Sequence, residues 1–197
     1  SCRRQKQANR PQKRWAMHNQ FFDQFRQAGE DLFRLRLTTS HGGNMSLRHQ
    51  GKVLISAHFA GLGHLEPTDI LEISIKDEPD MLDGNASRDT PLHQLIYKFT
   101  PAMAIVHAHP AHAVARSFTS EMISPMDMEG SVLLREIPVV TTEKAHSVLP
   151  QLLQSHVAAI VRGHGSYAVG RTLGEALAYT SALEFSCKVG SLAAEPQ

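Results

Sequence analysis

His107 and His109 flank one alanine at the end of the apolar run 102–106, immediately before Pro110. A short run containing Ile105 and Val106 that stops at a proline reads as a buried strand. Strand side chains alternate between faces, so both rings leave the same side. At a rise of about 3.3 Å per residue their Cα atoms stand roughly 6–7 Å apart. Imidazoles at that spacing reach one metal ion, with zinc bonds of about 2.0–2.1 Å. They equally suit two hydrogen-bonded rings on a polar sheet face. A third histidine, His164, sits between Gly163 and Gly165 after the apolar run 157–161. Flanking glycines let the backbone turn sharply and leave the ring unobstructed. Three histidines at two strand ends would form the closed side of a catalytic zinc site, with the fourth position open to water or substrate. The alternative for His164 is a solvent-facing ring in a turn. Asp89, in Ser87-Arg88-Asp89-Thr90-Pro91-Leu92-His93, stands just ahead of a helix. A carboxylate and donors there suit anion binding and proton transfer, or simple capping.

The elements that must carry these residues are readable in outline. Phe21, Phe22, Phe25, Leu32 and Leu35 recur at helical spacing and predict a helix over about 15–35, bent near Gly29. Residues 44–48 and 52–56 read as a hairpin turning at His49-Gln50-Gly51. A helical turn at 66–70 and a strand at 71–75 follow, then a charged connection over 76–85. Thr90 is expected as N-cap with Pro91 at N1 of a helix to about Phe99. After the His107 strand come a helix over 110–118, a loop over 121–130, a strand at 138–141 and a helix over 147–155 with Pro150 in its first turn. Strands at 156–162 and 167–169 precede a last helix, opened by the capping-box pattern of Thr172 and Glu175 and running to about Val189. Interleaved helices and hairpins predict an α/β fold with a central mixed or antiparallel sheet flanked by helices.

The length of 197 residues fits one domain with a proper core, expected over 15–197. Residues 1–14 are polar and basic and read as a flexible arm. The net charge of +1 argues for neither nucleic-acid nor membrane partners. No apolar run approaches the ~20 residues that span a bilayer, and the start lacks the apolar core of a signal peptide. Cys2 and Cys187, far apart, suggest a reducing, cytoplasmic setting.

Four motifs occur in order: Gly43-Asn44-Met45-Ser46-Leu47-Arg48, Ser87-Arg88-Asp89-x-x-x-His93, Ile105-Val106-His107-Ala108-His109-Pro110 and Gly163-His164-Gly165. In this the chain resembles the class II aldolase/adducin family, over about 15–189. The resemblance implies a three-layer sandwich and a site for zinc, or another divalent metal, on His107, His109 and His164. It implies that Gly43, Asn44, Ser87 and Arg88 hold the anionic end of a substrate and that Asp89 is the catalytic acid/base. The implied activity is zinc-dependent retro-aldol cleavage of a small ketose phosphate or related hydroxy-ketone, through an enediolate that the metal stabilises as a Lewis acid. An epimerase or a dehydratase on the same site is the alternative within enzymes; a non-catalytic adducin-like module is the alternative outside them. From the residues alone a zinc hydrolase, with Asp89 as base, also fits. The family further implies a homotetramer with sites between subunits. The chain departs from the family pattern in four places. Asp89 replaces the aldolases' Glu, and Arg88 replaces the second Ser of a Ser-Ser pair. Ser56-Ala57-His58-Phe59 replaces a Ser-Gly or Thr-Gly phosphate contact, and no tyrosine follows Val189. Arg88 is expected to take over as anion anchor, since guanidinium pairs with phosphate or carboxylate in two-pronged fashion. Asp127 and Glu129 are possible further acids.

Overall fold

The computed structural model describes residues 9–76 and 85–194. The first eight residues of the basic arm and most of the 76–85 connection lie outside them. Helix α1, Asn9–Arg34, takes in the rest of the arm and runs unbroken through Gly29. The expected bend is absent. Gly29 serves close packing instead: a Cβ there would stand 2.1 Å from the Leu62 carbonyl oxygen.

The sheet grows from the hairpin. Strands β1 (Asn44–His49) and β2 (Lys52–Ser56) pair antiparallel with His49 opposite Lys52. Gln50 and Gly51 turn between them with φ of 48° and 78°, the two positive values that a twist-matched two-residue turn requires. Strand β3 (Ile70–Ser74) adds to the outer side of β2. On its inner side β1 pairs with β4 (Ala104–Ala108), placing Asn44 opposite His107. The other side of β4 takes β8 (Gly165–Gly170), placing Tyr167 opposite His107. Beyond lie β7 (Ala158–Val161), β6 (Ile137–Val140) and β5 (Met122–Ile123), giving the order β3-β2-β1-β4-β8-β7-β6-β5. Among the described residues only the β6–β7 pair is parallel, so the sheet is mixed, as the sequence predicts.

Alternation along β4 sorts its side chains. Ala104, Val106 and Ala108 pack with Phe25 and Leu32 of α1 and with Ala176 and Leu177 of α6 (Leu173–Ala193). Ile105 faces the other way, toward Leu92 and Ile96 of α2 (Thr90–Phe99) and Leu149 of α5 (Ala145–Leu152). His107 shares that second face. Helices α3 (Ala111–Ser117) and α4 (Met128–Leu133) join α6 over β6 and β7. The result is a sheet between two helical layers.

Several local expectations shift. Asp89, not Thr90, occupies the N-cap of α2, and its side chain makes no capping bond. Helix α5 starts at Ala145, so Pro150 falls inside it rather than in its first turn. The segment expected as loop over 121–130 contains β5 and the start of α4. Asp127 opens α4 by accepting from the Gly130 N–H at 2.8 Å. A two-residue strand and a six-residue helix are too short to show a period. At α6 the Thr172 hydroxyl accepts from the Glu175 N–H at 3.1 Å, but the Glu175 carboxylate accepts from the Arg171 N–H. Among the described residues no helix is long and apolar enough to cross a membrane.

Candidate metal centre

Every residue of the site hangs from one end of the sheet. His107, the fourth residue of β4, is buried. Its Nδ1 lies 3.0 Å from the Ser166 carbonyl oxygen on β8. A carbonyl only accepts, so Nδ1 carries the proton and Nε2 presents a lone pair. Burial pushes the ring's pKa down to about 3, with His109 and His164 adding to the effect against the opposing pull of Asp89. A neutral imidazole with one nitrogen tied to a carbonyl is the form that ligates metal.

His109 follows the strand, and its N–H donates to the Leu37 carbonyl at 2.9 Å. Its Nε2 stands 3.1 Å from that of His107. Burial lowers its pKa too, and His164 adds to this while Asp89 opposes it. Helix α3 begins just after His109 and Pro110, and Glu184 of α6 fixes its start. That carboxylate accepts from the His112 and Ala113 N–H groups at 2.9 and 3.0 Å and from His112 Nδ1 at 2.7 Å. His164 comes from the turn between β7 and β8, its ring centroid 4.8 Å from that of His107 and 5.2 Å from that of His109. The ligand atoms of all three histidines lie within 4.8 Å of one another. Burial falls from His107 through His109 to the exposed His164, so the cluster opens to solvent on one side.

This donor set fits a divalent metal. Two nitrogens bound at 2.0–2.1 Å in a tetrahedral site lie about 3.3 Å apart, close to the observed His107–His109 separation. Three neutral imidazoles suit zinc among the common ions. The backbone leaves room for nothing else. A Cβ on Gly165 would stand 2.3 Å from the Ala108 carbonyl oxygen, 2.6 Å from His109 Cδ2 and 3.0 Å from His107 Cε1. Gly165→Ala is therefore expected to cost about 1–3 kcal/mol of stability, as overpacking does, and to weaken zinc binding by displacing two ligands. Thermal melting and zinc titration check both; a variant that binds zinc as tightly as the parent would contradict the close fit.

Asp89 meets the cluster from the start of α2. Its Oδ2 accepts from Asn44 Nδ2 at 2.7 Å and lies 3.5 Å from His107 Nε2. Burial alone would raise its pKa. The His107 and His93 imidazoles, the Asn44 amide and His164 together outweigh burial and hold the carboxyl below its usual range. Asn44 gets there because β1 pairs it with His107. Gly43, at φ 75°, lets the preceding loop press onto β4, where a Cβ would stand 2.5 Å from the His107 carbonyl oxygen. Ser87 is buried, its Oγ 3.3 Å from the Asp89 N–H, while Arg88 is exposed. The His58-Phe59 loop adjoins this segment. Ala57 bridges Ala86, and the His58 N–H donates to the Asn85 carbonyl at 2.7 Å. Phe59 has φ 59°, a conformation that disfavours a bulky residue, and stays 70% exposed against the His58 ring. Asp127 is taken up in opening α4, and Glu129 is exposed on that helix.

Two site neighbours escape the sequence reading. Tyr167 is buried, stacks on His107 at 4.1 Å and 15°, and hydrogen-bonds Asp89 through its hydroxyl. His93 belongs to a quoted motif, yet the spacing assigns it no role. It is fully buried, and its Nδ1 lies 2.7 Å from Ser46 Oγ, which lies 2.8 Å from the Tyr97 hydroxyl. Burial pushes its pKa down to about 4 against the pull of Asp89. For Tyr167 the available signal was the alternation of β8, but only the register with β4 brings it to His107. Together the groups offer three neutral ligands and one ionised carboxylate beside them, which suits Lewis-acid chemistry coupled to proton transfer.

Residues 23–190 match the family model described as "Class II Aldolase and Adducin N-terminal domain". A methylthioribulose-1-phosphate dehydratase of Gluconobacter oxydans is 27% identical over 187 residues, spanning 84% of this chain and 89% of the relative. An L-fuculose phosphate aldolase of Methanocaldococcus jannaschii is 25% identical over 170 residues, spanning 84% and 93%. Among solved structures, the L-fuculose-1-phosphate aldolase from Thermus thermophilus superposes with a TM-score of 0.82 at 35% identity, covering 89% of this chain and 97% of that one.

Proposed function

The chain belongs to the class II aldolase and adducin family, and from that premise we propose that it is a zinc-dependent lyase that cleaves a small ketose phosphate by a retro-aldol reaction. The observation that carries this reading is the Asp89 carboxylate 3.5 Å from His107 Nε2, beside three converging histidines. A divalent cation held by His107, His109 and His164 supplies Lewis acidity toward a substrate carbonyl. Asp89, ionised and held by Asn44, takes the proton of the substrate hydroxyl whose carbon is cleaved away. Asn44 and Ser87, with Gly43 and the exposed Arg88 guanidinium, bind the anionic end. A second reading is loss of water from a ketose phosphate, with Asp89 taking a proton from the carbon beside the carbonyl. The likeness to methylthioribulose-1-phosphate dehydratases favours it.

A panel of ketose phosphates tests the two readings, with aldehyde release and loss of water from the intact chain followed by mass spectrometry. Aldehyde is the expected product. Water loss without aldehyde would favour the dehydratase, and inversion at one carbon an epimerase. No turnover on any member by a protein that also fails to bind zinc would favour the adducin-like module. We also propose a homotetramer. Apolar side chains standing exposed on and near α4, Met126 at 75%, Met128 at 84% and Val132 at 71%, support burial against a second copy. Sedimentation at micromolar concentration is expected to give the tetramer mass; an active monomer would contradict it.

A further inference from the structure

Tyr167 carries no role in the reading above, yet it touches both halves of the site. It lies directly across the β4–β8 ladder from His107, and only 1% of it is exposed. The two rings stack at 4.1 Å with an interplanar angle of 15°. The residue before it, Ser166, supplies the carbonyl that accepts from His107 Nδ1. Adjacent residues of β8 thus hold the imidazole in two ways. The stack sets the plane of the ring, and the carbonyl sets its tautomer. The Tyr167 hydroxyl reaches the Asp89 carboxylate. With Asn44 Nδ2 already on Asp89 Oδ2 at 2.7 Å, that gives the carboxylate two donors, where one would leave it free to swing. A third contact steadies the tyrosine. His93 meets its ring edge-on at 6.2 Å and 72°, and His93 is itself tied through Ser46 to Tyr97.

We propose that Tyr167 is a positioning residue that fixes His107 for metal binding through its ring and Asp89 for proton transfer through its hydroxyl. The inference rests on the reading of His107 as a ligand and Asp89 as the proton acceptor. It separates the two jobs by chemistry. A phenylalanine keeps the stack and loses the donor, whereas a methionine fills much of the space and loses both.

Tyr167→Phe and Tyr167→Met are to be compared with the parent as zinc-loaded enzymes of full length, on the substrate that the panel identifies. Tyr167→Phe is expected to bind zinc like the parent and to keep its KM, with kcat lowered about 10–100-fold, the range for partners that orient an inner group. Tyr167→Met is expected to lose a similar factor in zinc affinity as well. A merely structural tyrosine would lower the melting temperature and leave kcat per folded, zinc-loaded chain unchanged. Parent-like kcat in Tyr167→Phe overturns the proposal, and does so even if Tyr167→Met fails to fold. Parent-like zinc affinity in a folded Tyr167→Met removes the ring from it. Zinc titration of the metal-free chain needs no substrate. A failed substrate panel with a normal zinc difference between the variants would therefore count against the lyase reading and not against the stack.

Discussion

Alanine in place of His107 is expected to empty the metal centre and abolish turnover while the chain remains folded. His107 is the innermost of the three histidines and the one whose tautomer the structure fixes. Disturbing a group that only orients a ligand costs about 10–100-fold in metal affinity, so loss of the ligand itself is expected to cost more than that. The fold should tolerate the change. The ring is neutral and sits at a strand end, and its removal leaves the Ser166 carbonyl without this donor, a loss of about 1–3 kcal/mol. Domains of this kind hold about 5–15 kcal/mol in reserve. Zinc content after dialysis, read beside a circular-dichroism melt, checks both halves. Stoichiometric zinc in a His107→Ala, His109→Ala double variant would refute the ligand assignment.

Asp89→Asn is expected to lower turnover by about 10²–10⁴-fold, the usual contribution of a positioned acid or base, with zinc content little changed. Asparagine has nearly the same shape, and its amide oxygen can still accept from Asn44. What disappears is the charge and with it the capacity to take a proton. The carboxylate stays ionised because its donors and the imidazoles beside it outweigh burial, so the parent enzyme has a base ready at neutral pH. Steady-state kinetics on zinc-loaded protein decide the matter. Parent-like turnover would move the chemistry elsewhere, with Glu129 the next carboxylate to replace. Loss of zinc in the variant would make Asp89 a fourth ligand and favour an epimerase-like arrangement.

Most of what brings the histidines together was legible before any coordinates. The His107 strand was readable from an apolar run that stops at Pro110, and the His164 turn from glycines on either side. Both signals are local, and both describe strand ends. The hairpin was equally plain, because Gln50 and Gly51 suit its turn. Tyr167 was not legible as part of the site. Its place beside His107 depends on how β8 slides along β4, and a one-residue slip would turn it to the other face. His93 shows a similar limit. Its spacing from Asp89 was visible, but its burial against Ser46 and Tyr97 is a matter of how α2 lies on β1. Helix α4 escaped because it spans too few residues to display a period. The bend expected at Gly29 came from treating glycine as a helix breaker, whereas the neighbouring Leu62 carbonyl requires the missing side chain.

The register of β4 also says when in folding the centre comes into being. His107 pairs with Asn44 on one side and Tyr167 on the other, far away in both directions along the chain. Closing such long loops is slow compared with the local β1–β2 hairpin, which forms on a scale of about 1–10 μs. His109 and His164 meet only when β8 has come back beside β4. A chain still emerging from the ribosome can fold its hairpin, but it has no centre until Gly170 is free to pair with Ala104. Metal thus cannot template the early steps. It acts on the finished sheet, draws the equilibrium toward the native state by mass action, and its uptake marks the moment at which the two halves of the sheet have joined.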